Sequence, residues 1–362
     1  MTTAKPPKLP KSAIKPRPAV VSMAPYSPPT GNRSGKLRLD FNENTVGCSP
    51  RVVAALRQGI DAERLAIYPE YGQAKHIIAR YFHVRPEQFV FTNGTDEAIQ
   101  VFVNTYLDDG QEVVLLKPSY AMYRFYCQVA GASIKEVEYP QPGMELPLQA
   151  LLDAITPETR AVILANPNNP TGTGIGLLGI ERILHRARKA AVLVDEAYYE
   201  FSGVTALGEI ERVPNLFVSR TFSKVFGMAA MRLGCLFSHE GNVAFLHKAQ
   251  SPYSVNSLAV MAAQAAVEDE QYIRDYVAEA LAAREVLCLG LERLGIHYIP
   301  SSANFVLGRF GARALEVRDA LGAQAILVRD RGYDAPGAVR ITVGTRDQAR
   351  RLLAALEEIW KR

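Results

Sequence analysis

The sequence predicts an α/β fold. Short, wholly apolar runs recur between stretches of helical periodicity, and the polar residues that close those runs are the ones able to do chemistry. Residues 112–116, 161–165, 191–194 and 216–219 have strand length and are apolar nearly throughout, the pattern of parallel strands buried on both faces. Helical stretches separate them, which implies a mostly parallel sheet flanked by helices on both sides. With 362 residues and 48% apolar content, the chain exceeds one typical domain and can bury a large core.

Taken in order, residues 1–35 are rich in lysine and proline and are expected to form a flexible arm. Residues 51–265 carry the alternating strands and helices and are expected to form a large domain. A long helical stretch from about 256 to 294 leads into a mixed region, where 304–307 and 339–343 read as strands and 348–360 as a closing helix. Residues 36–50 and 266–362 would together make a discontinuous small domain. No apolar run is long enough for a secretion signal or a membrane span, so a cytoplasmic protein is expected. The net charge of +4 is modest and concentrated in the arm, which argues against nucleic-acid binding. Four cysteines and six histidines are scattered without ligand spacing, so no metal is expected and the thiols read as reduced.

The stretch Arg220-Thr221-Phe222-Ser223-Lys224-Val225-Phe226-Gly227, with Arg232 shortly after it, places an amine among hydroxyls, cations and aromatic walls. Cations and apolar walls lower an amine's pKa toward the neutral form that attacks a carbonyl. Thr221, Ser223 and Arg232 have the donors to grip a phosphate dianion. Lys224 therefore has the setting of a pyridoxal phosphate lysine, with anchor and phosphate grip in one motif. The apolar run at 161–165 ends in Asn166-Pro167-Asn168-Asn169-Pro170-Thr171-Gly172, and that at 191–194 ends in Asp195-Glu196-Ala197-Tyr198. Polar loops at the carboxyl ends of parallel strands are where ligands bind.

Together with Asn42-Glu43-Asn44, Tyr68-Pro69-Glu70, Gly94-Thr95-Asp96-Glu97, Pro118-Ser119-Tyr120 and Val339-Arg340-Ile341-Thr342-Val343-Gly344, these motifs resemble the fold-type I, class II aminotransferases, and within them the histidinol-phosphate aminotransferase family. The resemblance runs from about residue 36 to the end. It implies pyridoxal phosphate (PLP) as cofactor, with the protein tuning its electronics. Asp195 would pair with the pyridine nitrogen, Asn169 and Tyr198 would hydrogen-bond the ring oxygen, and Tyr120 would stack on the ring. Lys224 would hold the cofactor covalently and then act as general base. Gly94, Thr95 and Asp96 would offer backbone amides to the phosphate at the start of a helix reading Glu97-Ala98-Ile99. The side chains of Asp96 and Glu97 would repel a phosphate, so both are expected to turn aside as partners of the helix dipole. Tyr68 resembles a tyrosine that reaches the cofactor phosphate of a neighbouring subunit, which implies a homodimer with shared active sites.

Substrate recognition would rest on Arg340, gripping a carboxylate or its equivalent through a forked pair of bonds, and on Arg329, gripping the distal phosphate of histidinol phosphate. Tyr26 and Asn42 would border the same pocket. The implied reaction passes an amino group from histidinol phosphate to 2-oxoglutarate, both small molecules. An aromatic amino acid aminotransferase, or a decarboxylase of a phosphorylated amino acid, is the alternative on the same scaffold. Departures from the family pattern fall at Thr45, Met228-Ala229-Ala230-Met231, Cys235 and Ser254. They touch the substrate mouth and the packing around it rather than cofactor contacts.

Overall fold

Side chains alternate in direction along each strand, and this period of two decides which residues reach each side of two sheets. The computed structural model describes residues 14–23 and 33–361. Among these the strands are β1 (Leu37–Leu39), β2 (Phe89–Thr92), β3 (Glu112–Lys117), β4 (Ser133–Glu138), β5 (Thr159–Ala165), β6 (Ala191–Asp195), β7 (Leu216–Thr221), β8 (Gly234–Ser238), β9 (His297–Ile299), β10 (Phe305–Arg309), β11 (Ile326–Asp330) and β12 (Ala338–Thr342). A seven-stranded sheet runs in the order β2-β8-β7-β6-β5-β3-β4. β4, β3, β5, β6 and β7 are mutually parallel, while β8 runs antiparallel to both β2 and β7. The expected mostly parallel sheet is present, with this one reversal.

Alternation sorts the side chains of that sheet into two layers. Val192 and Val194 of β6 join a core with helices Gly72–Phe82, Leu148–Ala154 and Leu177–Arg186, whereas Leu193 joins the opposite core with helices Gly94–Tyr106 and Ala121–Ala130. The parallel strands therefore end together at one polar edge. Lys117, Ala165, Asp195 and Thr221 close β3, β5, β6 and β7, and each is followed by one of the loops singled out above.

The second sheet has the order β1-β11-β12-β10-β9, with β1 parallel to β11 and the other pairs antiparallel. Leu37, Leu39, Val306, Ile326, Val328, Val339 and Ile341 bury against the closing helix Arg346–Trp360 and the second half of helix Glu270–Arg293. The alternate positions carry Arg38, Arg329, Arg340 and Thr342, together with Phe305 and Leu307, which pack with the large core. One face of this sheet is thus apolar and covered, and the other turns its arginines toward the large sheet.

Three expectations about helices need correction. The stretch at 256–294 is two helices, Ser257–Val267 and Glu270–Arg293. Acidic residues at 268–270 repel one another, and the Asp269 carboxylate is drawn off by the Ser49 hydroxyl and by Arg51. The helix expected to open at Glu97 begins at Gly94. The closing helix begins at Arg346, because Thr345 and Gln348 form a capping box there. Glu270–Arg293 spans both cores: Ile273, Tyr276 and Ala280 pack in the large one, Ala283, Leu287 and Leu291 in the small one. Within residues 14–23 a single helical turn, Pro18–Val21, lies beside helix Ala121–Ala130. No described helix is long and apolar enough to cross a membrane, and no described His, Cys, Asp and Glu residues cluster to hold a metal.

Candidate active site

The loops at the polar edge of the seven-stranded sheet enclose a cavity of about 350 Å³. Thr95, Asp96, Tyr120, Asn169, Asp195, Tyr198, Thr221, Ser223, Lys224 and Arg232 all line it. These residues come from five separate motifs and meet because β2, β3, β5, β6 and β7 end at the same edge.

Asp195 lies at the cavity floor, 4% exposed. The Tyr123 hydroxyl donates to its Oδ2 at 2.6 Å and the Ser219 hydroxyl to its Oδ1 at 2.9 Å. Among the described residues no cation lies within ion-pair distance of it. Burial pushes its carboxyl upward, and these donors oppose the push. A buried carboxylate in that condition calls for a cationic partner.

At the opposite end, helix Gly94–Tyr106 presents its unpaired first amides. Gly94 has φ +75° and a Cβ there would run into Arg232 Nη2, while a Cβ on Gly234 would stand 2.9 Å from Thr95 N. The cup is therefore built at glycine clearance. Arg232 itself adopts a left-handed φ of 55° and donates to the Ala229 carbonyl at 3.1 Å and to Asp96 Oδ2 at 3.2 Å. Tyr120 donates from its hydroxyl to Asp96 Oδ1 at 2.8 Å. The expectation that Asp96 turns aside is corrected: its carboxylate ties Tyr120 to Arg232. Glu97 does turn back, accepting from the Asn93 amide and from the Ser254 hydroxyl.

Lys224 Nζ donates to the Phe41 carbonyl at 3.1 Å and lies 5.7 Å from the Tyr198 ring centroid. It makes no ion pair among the described residues. The Tyr198 hydroxyl receives Asn42 Nδ2 at 3.0 Å and Asn169 Nδ2 at 3.4 Å. Asn42 is fixed in turn by Thr342, whose hydroxyl accepts from its backbone N at 2.9 Å and donates to its Oδ1 at 3.0 Å.

The substrate set stands one contact behind the wall. Arg340, 5% exposed, donates to Asn169 Oδ1 at 2.5 Å and to the Asp40 carbonyl at 2.6 Å, and its buried Nε has no partner. Burial brings it down to about 10, with the charges of Arg331 and Arg329 adding to the effect. Arg329 sits opposite Arg340 in the β11–β12 register, its guanidinium 5.5 Å from the Phe41 ring. Tyr68 does not reach the cavity of its own chain. It is 73% exposed and stacks on Tyr253, with ring centroids 4.6 Å apart. Tyr26 lies outside the described residues.

Sequence reasoning missed Arg33, Phe41, Glu43, Tyr123 and Ser219 as parts of the site. Arg33 covers the Phe41 ring at 4.4 Å and pairs with Asp40 at 2.7 Å and Glu43 at 2.9 Å. Burial would raise the Glu43 carboxyl, but its hydrogen bonds with Arg33 and the charges of Arg33 and Arg38 hold it below the usual range. Tyr123 did leave a signal, since it follows Tyr120 by one helical turn. A larger cleft of about 750 Å³, lined in part by Tyr81, Tyr199 and Arg220, lies apart from all these groups.

The arrangement combines one amine free of ion pairs, a buried carboxylate lacking a cation, and an amide-and-arginine cup. The aminotransferase class I and II family model matches residues 34–356. The chain belongs to the class I and II aminotransferases. This aminotransferase is 37% identical to a histidinol-phosphate aminotransferase of Symbiobacterium thermophilum, over 94% of this chain and 97% of that one. It is 36% identical to another from a Geobacillus species, over 90% of both. Among solved structures it superposes on the histidinol-phosphate aminotransferase from Sinorhizobium meliloti in complex with pyridoxal-5'-phosphate. The TM-score there is 0.85 at 26% identity, covering 97% of this chain and 99% of that chain.

Proposed function

We propose that this aminotransferase binds PLP in the cavity and moves an amino group from histidinol phosphate to 2-oxoglutarate, giving imidazole acetol phosphate and glutamate. The cofactor fits the groups present. Asp195 offers its anion to a protonated ring nitrogen, the amides of Thr95 and Asp96 with Thr221, Ser223 and Arg232 offer donors to the phosphate, and Tyr120 offers a ring face. The chemistry that PLP supplies when bound is an electron sink for the bond broken at the substrate Cα. Lys224 Nζ would hold the cofactor and, once free, would accept the proton from the substrate Cα. Tyr198 and Asn169 would donate hydrogen bonds to the ring oxygen.

The observation that carries the substrate assignment is a local excess of positive charge. Asp334 lies in the field of Arg329, Arg331 and Arg340 and pairs with Arg331 at 2.5 Å. Among Arg329, Arg331, Arg340 and Asp334 the cations exceed the carboxylate by two, while Asp330, between Arg329 and Arg331 in sequence, accepts from the Gly332 backbone N. Next to them Arg33 and Arg38 are balanced by Asp40 and Glu43. A phosphate monoester, at roughly −1.5 to −2 charge near neutral pH, meets that excess, as does the dicarboxylate of 2-oxoglutarate in the return half-reaction. An aromatic amino acid, with a neutral side chain, brings only its α-carboxylate and meets half of that excess.

The active form in this reading is a homodimer. What supports this is that Tyr68, stacked on Tyr253, is exposed and free to reach a second copy, which would receive it at its own cofactor phosphate. The deciding test mixes PLP-loaded protein separately with histidinol phosphate, phenylalanine and glutamate and follows the cofactor absorbance in a single turnover. Fast conversion by histidinol phosphate and glutamate is expected. Preference for phenylalanine would make this an aromatic amino acid aminotransferase.

A further inference from the structure

Asp195 owes its geometry to two hydroxyls, that of Tyr123, whose side chain also lines the cavity, and that of Ser219, which does not line it. Tyr123 belongs to helix Ala121–Ala130, is 2% exposed, and meets the Tyr120 ring edge-on at 5.6 Å. Ser219 is fully buried and is the register partner of Asp195 across β6 and β7. The two hydroxyls donate to different oxygens of one carboxylate, at 2.6 Å and 2.9 Å. A carboxylate held at both oxygens cannot rotate about its χ2, so the angle at which it faces the cavity is fixed.

We propose that Tyr123 and Ser219 are positioning residues that keep the Asp195 carboxylate charged and aimed at the ring nitrogen of PLP. The inference rests on the reading that PLP binds here, and it assigns to these hydroxyls a share of cofactor affinity and of its pH dependence. The physical basis is that both donors bond the charged form. Burial works against that form, as does the negative charge of Asp96. Tyr120 on the neighbouring loop and Tyr123 itself feel the Asp195 charge, and Tyr198 and Lys224 line the same cavity. Without its hydroxyl donors, Asp195 takes up a proton at higher pH and loses its attraction for a protonated ring nitrogen.

A purely structural reading is available, because the Tyr123 ring is a core member beside Cys127 and Ile99. Tyr123→Phe separates the two, since it keeps the ring and removes the donor. Apoenzyme of the wild type, Tyr123→Phe, Ser219→Ala and the double variant is titrated with PLP across a pH series, and the thermal melt of each apoenzyme is recorded. Each single variant is expected to lose about ten-fold in PLP affinity at neutral pH, with a larger loss in the double variant. The pH at which affinity disappears on the acid side is expected to move upward. A structural role alone would lower the melts and leave that midpoint in place. Wild-type affinity and an unmoved acid midpoint in both single variants would overturn the proposal. Should Tyr123→Phe fail to fold, Ser219→Ala decides by the same two readouts. Failure of the wild type to bind PLP would overturn the cofactor reading and this inference together, an outcome distinct from tight binding by every variant.

Discussion

Arg340 of the small sheet donates to the side-chain oxygen of Asn169 on the large one, at 2.5 Å. Asn169 in turn donates to the Tyr198 hydroxyl at 3.4 Å. The cation proposed to receive the substrate's anion and the pair proposed to tune the cofactor ring thus share one side-chain amide. Arg340→Lys keeps the charge and loses the planar fork that serves Asn169, the Asp40 carbonyl and an incoming anion together. Steady-state kinetics are expected to show kcat/KM for histidinol phosphate down by roughly a hundred-fold or more, the cost of about 3 kcal/mol of charge-assisted bonding. A loss below three-fold would remove Arg340 from substrate recognition.

The phosphate cup tolerates no side chain at Gly94. An alanine there must hold φ near +75° and collide with Arg232, costing roughly 1–2 kcal/mol for the left-handed backbone alone. Gly94→Ala is expected to weaken PLP binding by more than ten-fold, measured by equilibrium dialysis. Gly110→Ala, also at positive φ with open space around it, is the control expected to bind PLP normally.

Behind the site, Arg220 pairs with buried Glu196 at 2.8 Å and lies 3.8 Å from Glu200. Burial pushes Glu200 up from 4.5 to about 7, against the favourable charge of Arg220. Between those values the folded chain holds a proton that the unfolded chain releases, so this group's contribution to stability falls as pH rises from about 4.5 to about 7 and is level above. Glu200→Gln removes that dependence. Thermal melts across the range should show the variant gaining on the wild type as pH rises. A difference that stays flat with pH would show that Glu200 does not titrate there.

The proposed sharing of Tyr68 between subunits predicts complementation. Tyr68→Ala and Lys224→Ala should each be nearly inactive as pure proteins. Mixed dimers contain one site with both Lys224 and a partner's Tyr68, so co-refolded mixtures should regain up to about a quarter of wild-type activity, one intact site in a statistical half of the dimers. Activity no higher than the sum of the separate variants would place Tyr68 outside the neighbouring site.

Much of the large domain's layout was readable because parallel strands are apolar runs and ligand loops follow them. Asp195 closes its strand, and Lys224, Asn169 and Tyr198 sit three or four residues beyond the ends of theirs. What escaped did so for physical reasons. Phe41 receives Lys224 through its backbone carbonyl, which every residue type possesses. Ser219 lies within an apolar strand and reads as filler until its register with Asp195 is known. Arg33 owes its place to Asp40 and Glu43, and nothing about a Gly-Asn-Arg-Ser stretch announces a partner. The break at residues 268–270 was hidden because no glycine or proline marks it.

β1 joins the small sheet by pairing Leu37 with Ile326 and Leu39 with Val328, and the chain continues directly into Phe41 and Asn42. On the ribosome, nearly the whole polypeptide must therefore emerge before the carbonyl that holds Lys224, or the asparagine that holds Tyr198, has a strand to stand on. The seven-stranded sheet can gather its loops early, but the amine's final setting waits for the last tenth of the sequence. Truncations near the carboxyl terminus should for that reason silence a lysine more than a hundred residues upstream.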